Sequence, residues 1–507
     1  HVPTLHPSGD SHTAYRSGTQ LYILVFCLAW WVIYLLGRHS LDGRDMVEAF
    51  AWGQEWQWGT NKHPPMSGWM AAAWFALLPT TEAMYYLLNQ VNLALALWLL
   101  ALAMRCFMGW DQVLLAIVLT SLGTHFGPDQ GFKFNANSAL LPFVAGFTWS
   151  LLRGLSSARW RWFVLAGVFA GGALLTKYFA LVLIAAIGIG ITAVLRPKAM
   201  LLCQVAGVVA ATAMVLCVPH VVWSIRHGWP TLHYMHESHP ATRTASDLMA
   251  YAITAGDYVH FSALAILVWA GSLWRARSTP LPTPRRLPGL GLGLAILALC
   301  LCLTLLAAWI QRLVPISPWL IPAFLFVGWA LVDLTPAGID SRIVARRASV
   351  AGMIYLVLSG AAAAHLGQQY RMQPTGTPDA LAPLLARDVT ELYRQAYGQD
   401  IGYVAGSFPL PYNIAFYAPG HPHALAGLDP AQSPWIDPQA MAGGNRVVVC
   451  GTLTFVPAQD PECDTSARQL FGAPDQTRQL VYPVHDPLSG RPAQQVYTLL
   501  MWKPAGR

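Results

Sequence analysis

Charge is what this chain has least of. Only 11% of its 507 residues are Asp, Glu, Lys or Arg, against 55% that are hydrophobic. Soluble domains carry about 25% charged residues. A chain this poor in charge is solvated by lipid over most of its length. It also has no long basic run, so the net charge of +7 is not the mark of a nucleic-acid-binding arm. The plainer source is topology, because Lys and Arg accumulate on cytoplasmic loops. No CxxC pair and no Cys/His zinc spacing occurs, and neither an internal repeat nor a low-complexity segment is present. No small-residue cleavage site follows the first apolar run, Leu21 to Leu36, which therefore reads as a retained helix and not a signal peptide.

What is present is a long series of apolar runs. They lie near 19–37, 83–105, 111–127, 136–153, 161–176, 178–195, 201–224, 250–274, 288–309, 316–333 and 348–366. The pattern predicts about eleven membrane-spanning helices, some short for a bilayer that needs about 20 residues. The stretch 161–195 is continuous except for Lys177, read as a turn at the membrane surface. Trp69 to Leu78 is too short to span and is expected along the interface. The 21 Trp suit membrane boundaries.

Charge orients the series. With residues 1–18 as a polar, mobile cytoplasmic segment, the even connections carry Arg105; Arg153, Arg159 and Arg161; Arg196 and Lys198; Arg275, Arg277, Arg285 and Arg286; and Arg342, Arg346 and Arg347. The opposite loops hold Asp42, Asp45, Glu48, Glu55, Asp129 and Glu237, with few cations. That is the positive-inside pattern. Loops 38–82, 124–135, 225–249 and 310–315 are thus expected to face outward, with the tail from 367.

The tail changes character. Asp379 to Tyr397 reads as a helix with apolar positions at Leu381, Leu384, Leu385, Val389 and Leu392. Ile401–Ala405, Arg446–Cys450, Gln479–Tyr482 and Gln495–Met501 read as strands, separated by Gly and Pro. A small α/β domain is the expectation. Six Cys (27, 106, 203, 217, 300 and 302) lie in or beside apolar runs as packing residues. Cys450 and Cys463 lie in the tail and can pair if it sits in an oxidising compartment.

Polar chemistry gathers on the expected outer side. The first loop places Asp42, Asp45 and Glu48 on one side of a short helix, if it is helical, and Lys62-His63 before a rigid Pro64-Pro65. Asp42 or Asp45 can act as a base or orient a nucleophile. Lys62 and His63 can hold a phosphate. The plainer alternative is a solvated amphipathic loop. Lys177, between apolar runs, is a functional candidate because charge in a membrane is costly, the alternative being a snorkelling anchor. Arg226 and Arg312 end their spans, where simple interfacial anchoring is the plainer reading. His233, His236 and His239 would share a face on a helix and could then bind metal; scattered loop histidines are the plainer reading.

The first loop resembles that of the dolichyl-phosphate-mannose protein mannosyltransferase-like glycosyltransferases. These are family 39 and its bacterial relatives of GT-C fold, which include the lipid A aminoarabinose transferase and rhizobial galacturonosyltransferases. The residues that carry the likeness are Asp45 followed by His63-Pro64-Pro65, Gly-Gly-Ala-Leu-Leu-Thr-Lys-Tyr at 171–178, Val-Pro-His-Val-Val-Trp-Ser at 218–224, and Ala415-Phe416-Tyr417 with Ser433-Pro434-Trp435 in the tail. Two departures stand out: Met46 replaces the Glu that follows the acid, and Asn135 or Asn137 stands where a second acid is expected. An Asn can hydrogen-bond a sugar but cannot act as a base, which puts a two-acid or metal-bridged site in doubt.

The resemblance implies an all-α GT-C membrane domain of about 11–13 helices, 19–366, and a small C-terminal periplasmic α/β domain, 367–507. It implies a sugar moved, with inversion, from a polyprenyl-phosphate donor to a glycolipid acceptor, lipid A or another lipopolysaccharide component, at the periplasmic face of a bacterial inner membrane. Asp45 would act as catalytic carboxylate with Asp42 in reserve. Lys177, then His63, Lys62, Arg226 and Arg312, would bind the donor phosphate, and Glu48, Asn135 and Asn137 the substrate. No metal or other cofactor is required, since fixed cations can do the electrostatic work. A protein acceptor is the alternative within the fold. A polytopic transporter is the alternative outside it, but transporters keep their charges near mid-membrane, often in repeated halves.

A reporter fused after Gly367 is expected to read as periplasmic, because the last span runs outward from Arg346 and Arg347. A cytoplasmic readout would invert the topology.

Overall fold

The computed structural model describes residues 9–238, 240–242, 244–274, 291–336, 338–372, 378–451, 460–485 and 491–503. Arg275, Arg277, Arg285, Arg286 and His239 lie outside these residues, as do 1–8 and the first three positions of the run expected at 288–309.

In lipid, a spanning segment must satisfy its backbone polar groups internally, and an α-helix does so. Every expected apolar run is accordingly helical. Among the described residues, seven helices are long and apolar enough to cross a membrane. They fall in α1 (Gly9–Gly37), α4 (Glu82–Met104), α6 (Ala136–Ser157), α9 (Ala199–Arg226), α11 (Ala245–Leu273), α12 (Leu292–Ile310) and α14 (Ser341–Met372). The other four runs form shorter apolar elements: α5 (Trp110–Ser121), α7 (Trp160–Thr176), α8 (Ala180–Leu195), and a 3-10 helix, Ser317–Phe326, continued by α13 (Val327–Asp333). Residues 9–18, expected as part of a mobile polar segment, are instead the first turns of α1. The long stretch 161–195 breaks at Lys177, as its charge predicts. The first loop contains two short helices, α2 (Asp45–Gln54) and α3 (Met66–Phe75), and α10 (Pro230–Ser238) follows α9.

The chain divides into two compact units. The first comprises His1–Tyr34, Tyr86–Ile225 and Leu232–Ala361. Its helices approach closely where glycine faces an aromatic ring. A Cβ at Gly146 would meet the Phe169 ring at 2.4 Å, and one at Gly172 the Phe143 ring at 2.4 Å. These reciprocal notches lock α6 against α7, the small-residue packing that lipid favours.

The second unit comprises Leu35–Tyr85, Arg226–Thr231 and Ala362–Arg507, so the first loop belongs with the tail. The expected tail helix is α15 (Pro378–Tyr397). Leu381, Leu385, Val389 and Tyr393 form its buried stripe. Five strands follow among the described residues: β1 (Tyr403–Gly406), β2 (His423–Ala426), β3 (Arg446–Cys450), β4 (Gln476–His485) and β5 (Pro492–Trp502). Their order is β2-β1-β3-β5-β4. The first three are parallel, with Val404 opposite Ala424 and Val447. The last two are antiparallel, with Val448 opposite Leu500. Four expected strands are present; β2 and the short helices α16 (Leu410–Tyr417), α17 (Pro438–Gly443) and α18 (Pro461–Phe471) carry no periodicity long enough to read.

A disulfide joins Cys450, at the end of β3, to Cys463 in α18, with Cα atoms 5.7 Å apart. Both sit in the apolar cluster with Val448, Ala467, Leu500 and Trp502. In protein unfolded without reductant, both thiols are expected to resist alkylation. Replacing both by Ser should lower stability by about 3 kcal/mol, the entropy of opening a loop of this size, read as a lower denaturation midpoint. Free labelling of both thiols would contradict the pairing.

Candidate functional site

Two polar clusters contain the sequence candidates, one in each unit. The first is built on α2. Asp42 Oδ1 accepts from the backbone N–H groups of Arg44 (3.2 Å) and Asp45 (2.9 Å), forming the turn that starts the helix. Asp45 is its first residue and Glu48 lies one turn on, so both face the same way. Lys62 Nζ donates to both, at 3.3 Å to Asp45 Oδ1 and 2.9 Å to Glu48 Oε2. Side-chain exposure is 30% at Asp45, 18% at Lys62 and 6% at Glu48. Burial pushes the Glu48 carboxyl up to about 7 despite the opposing Lys62 ammonium.

Lys62 owes its place to Thr60. That buried hydroxyl accepts from the N–H groups of Lys62 (3.2 Å) and His63 (2.9 Å) and donates to the His63 carbonyl (2.7 Å). The His63 ring stands edge-on to Trp52 at 6.1 Å. Pro64 and Pro65 are buried and lead into α3.

The tail holds α2 in place. Asn413 Nδ2 donates to the Gly43 carbonyl (2.8 Å). The Tyr417 hydroxyl accepts from the Leu41 N–H (3.0 Å) and donates to Glu82 Oε1 (2.7 Å). The Phe416 ring packs on Phe50, Tyr85 and Phe75 at 5.1, 5.7 and 6.0 Å. At the far end of α2, Gln54 Nε2 donates to the His421 carbonyl (2.9 Å) and His423 Nδ1 lies 2.6 Å from Glu55 Oε1. The hydrogen bond to Glu55 raises the His423 pKa.

The second cluster surrounds Lys177. Its backbone is extended where α7 stops, and its N–H still closes onto the Ala173 carbonyl at 3.0 Å. Lys177 Nζ donates to Asn137 Oδ1 (2.7 Å) and lies 6.0 Å from the centre of the Trp319 ring, within cation–π range. Asn135 is the N-cap of α6: its Oδ1 accepts from the N–H groups of Asn137 (2.9 Å) and Ser138 (3.0 Å). Asn135 thereby sets the turn that presents Asn137. The Tyr178 hydroxyl is 2.7 Å from Nε2 of buried His220.

The structure thus joins Asp45, Glu48 and Lys62 in one group and Lys177 with Asn137 in another. Asp42 and Asn135 use their side chains to organise backbone. Arg226 and Arg312 are exposed at the ends of α9 and α12. His233 and His236 are exposed on α10. Among the described residues, no three His, Cys, Asp or Glu side chains come together as a metal site would need. Sequence reading passed over Thr60, His220, Trp319 and Tyr417. His220 and Tyr417 lie inside motifs noticed for other residues; Thr60 and Trp319 carry no local signal.

Residues 62–223 match the family described as dolichyl-phosphate-mannose-protein mannosyltransferase. That segment contains Lys62, His63, Asn137 and Lys177, and leaves out Asp42, Asp45 and Glu48. No curated protein matches the sequence. The crystal structure of ArnT from Cupriavidus metallidurans bound to undecaprenyl phosphate is similar in fold, with a TM-score of 0.62 at 14% identity, covering 95% of this chain and 98% of that one. The chain has the GT-C fold. The oligosaccharyltransferase AglB from Archaeoglobus fulgidus, in complex with an inhibitory peptide and a dolichol-phosphate, aligns over 92% of this chain and 69% of its own, with a TM-score of 0.44 at 12% identity.

The raised Glu48 pKa has a sign. Between about 4.5, its ordinary value, and about 7 the folded state binds more protons than the unfolded state. Stability contributed by this group is therefore present at low pH and lost as pH rises through that window. Glu48→Gln should flatten the fall in thermal midpoint between these pH values. An unchanged slope would show Glu48 to be ionised throughout.

Proposed function

We propose that this chain is an integral-membrane glycosyltransferase that moves a sugar from a polyprenyl-phosphate donor to lipid A or another glycolipid of the lipopolysaccharide, at the periplasmic face of the inner membrane. The observation that carries the reading is the Lys177 ammonium, set at a break between two apolar helices and aimed by Asn137 and the Trp319 ring. A charge in such surroundings is costly and calls for a use. The leaving group of this reaction is a phosphate, whose negative charge grows as the glycosidic bond breaks. A pre-placed cation stabilises that state more than the ground state. The fold shared with a protein crystallised with undecaprenyl phosphate supports the donor class.

Asp45 serves as the carboxylate that orients or deprotonates the acceptor. Lys62, between two carboxylates, aims Asp45; its role is positioning, and the donor phosphate falls to Lys177. Glu48 supplies a second acid one turn from Asp45, in place of the neighbour that Met46 displaces. Asp42 shapes the turn. His63, Arg226 and Arg312 remain auxiliary cations. Direct displacement by the acceptor inverts the anomeric centre, and neither a metal nor another cofactor enters the scheme.

Radiolabel transfer from polyprenyl-phosphate sugars to lipid A, with detergent-purified protein, tests the function. Absence of transfer across the available donors and acceptors, with transport activity instead, would sink it. Lys177→Ala should lower turnover at least about 100-fold, the scale of one transition-state donor, and Lys177→Arg should rescue poorly because a planar fork does not replace a compact ammonium. Asp45→Asn should cost about 100- to 10,000-fold, the range for a lost base. Asp42→Asn should cost little, since an amide oxygen still accepts from the Arg44 and Asp45 N–H groups. A dead Asp42→Asn beside an active Asp45→Asn would exchange the two roles.

A further inference from the structure

Helix α11 carries a polar stripe inside an apolar sequence. Tyr251, Thr254 and Asp257 recur every third residue and share one face. Asp257 is the one carboxylate of α11 beyond its first turn, where Asp247 sits. Each member of the stripe grips the segment after α12. The Tyr251 hydroxyl donates to the Leu313 carbonyl (2.7 Å), and the buried Thr254 hydroxyl donates to the Pro315 carbonyl (3.1 Å). The Ser317 hydroxyl donates to the Asp257 carboxylate.

Alternate residues of an extended chain point the same way, so positions 313, 315 and 317 meet the stripe as three rungs. A fourth tie comes from the other edge, where the Ala241 N–H donates to the Arg312 carbonyl at 2.8 Å and Pro240 bridges Leu313. The strap ends at Ser317, the first residue of the 3-10 helix that carries Trp319. The Trp319 ring then lies 6.1 Å from Phe179 and 6.0 Å from Lys177 Nζ. An acid at the start of this helix also complements its dipole.

We infer that Asp257, with Tyr251 and Thr254, is a positioning residue of the donor site: the ladder fixes the 313–317 strap so that Trp319 holds the Lys177 ammonium toward the donor phosphate. The inference rests on the reading of Lys177 as the phosphate ligand. None of the three ladder residues touches the donor; they act through Ser317, Trp319 and Lys177.

The test uses full-length protein with undecaprenyl phosphate as the binding probe, alongside steady-state transfer. Asp257→Leu and Ser317→Ala should each weaken probe binding and raise the donor KM about tenfold, with the acceptor KM unchanged. Asp257→Asn keeps an oxygen for the Ser317 hydroxyl and should bind the probe as wild type does. In a Trp319→Ala background, Asp257→Leu should add nothing, because both act through the same ring. Wild-type probe affinity in Asp257→Leu, or an effect that adds in full to Trp319→Ala, overturns the inference. If Asp257→Leu does not fold, Ser317→Ala carries the same comparison. Lys177→Ala separates the two ideas: wild-type probe binding there removes the donor-site reading itself. Lost binding there beside normal binding in Asp257→Leu and Ser317→Ala removes only the ladder.

Discussion

A backbone in lipid has no water to bond, so each interruption of a helix must supply its own hydrogen bonds or sit among protein groups that do. The architecture around Lys177 follows from that constraint. Where α7 ends, the Lys177 N–H still closes onto Ala173, and Tyr178 is tied to His220 on α9. Where the chain re-enters after α12, an extended strap of backbone carbonyls meets hydroxyls from α11. Non-helical segments survive here because side chains from neighbouring helices satisfy them. Those segments are also the places where a side chain can be turned from lipid toward a polar ligand. Lys177 stands at such an interruption.

A second economy governs the first loop. Two acids one turn apart on α2 would repel if both were ionised and buried together. Lys62 between them offsets that repulsion, and the remaining burial of Glu48 appears as a pKa near 7. The group carries less charge than its three residues suggest, and Asp45 is its most exposed acid. Such an arrangement sets the Asp45 carboxylate against the Lys62 ammonium, at 3.3 Å. It also explains why the tail matters: α2 is ten residues long, too short to be stable alone. Phe416, Asn413 and Tyr417 of α16 supply the packing and hydrogen bonds that hold it.

Sequence alone determined the membrane class, the position of every apolar helix, the break at Lys177 and most of the tail sheet. These depend on hydrophobic runs, isolated charges and period-two alternation, all local in the chain. It also singled out Asp45, Lys62, Lys177 and Asn137. It could not assign their pairings. That Lys62 faces Asp45 and Glu48, and that Asn137 rather than an acid meets Lys177, depends on residues 14, 17 and 40 positions apart being brought together. Thr60 and Trp319 were invisible for the same reason: a Thr in a loop or a Trp at a helix start means nothing until its contact is known. Only the tertiary structure decided which polar side chains organise backbone and which pair with one another, because that choice is made by burial and distance, which no local pattern encodes.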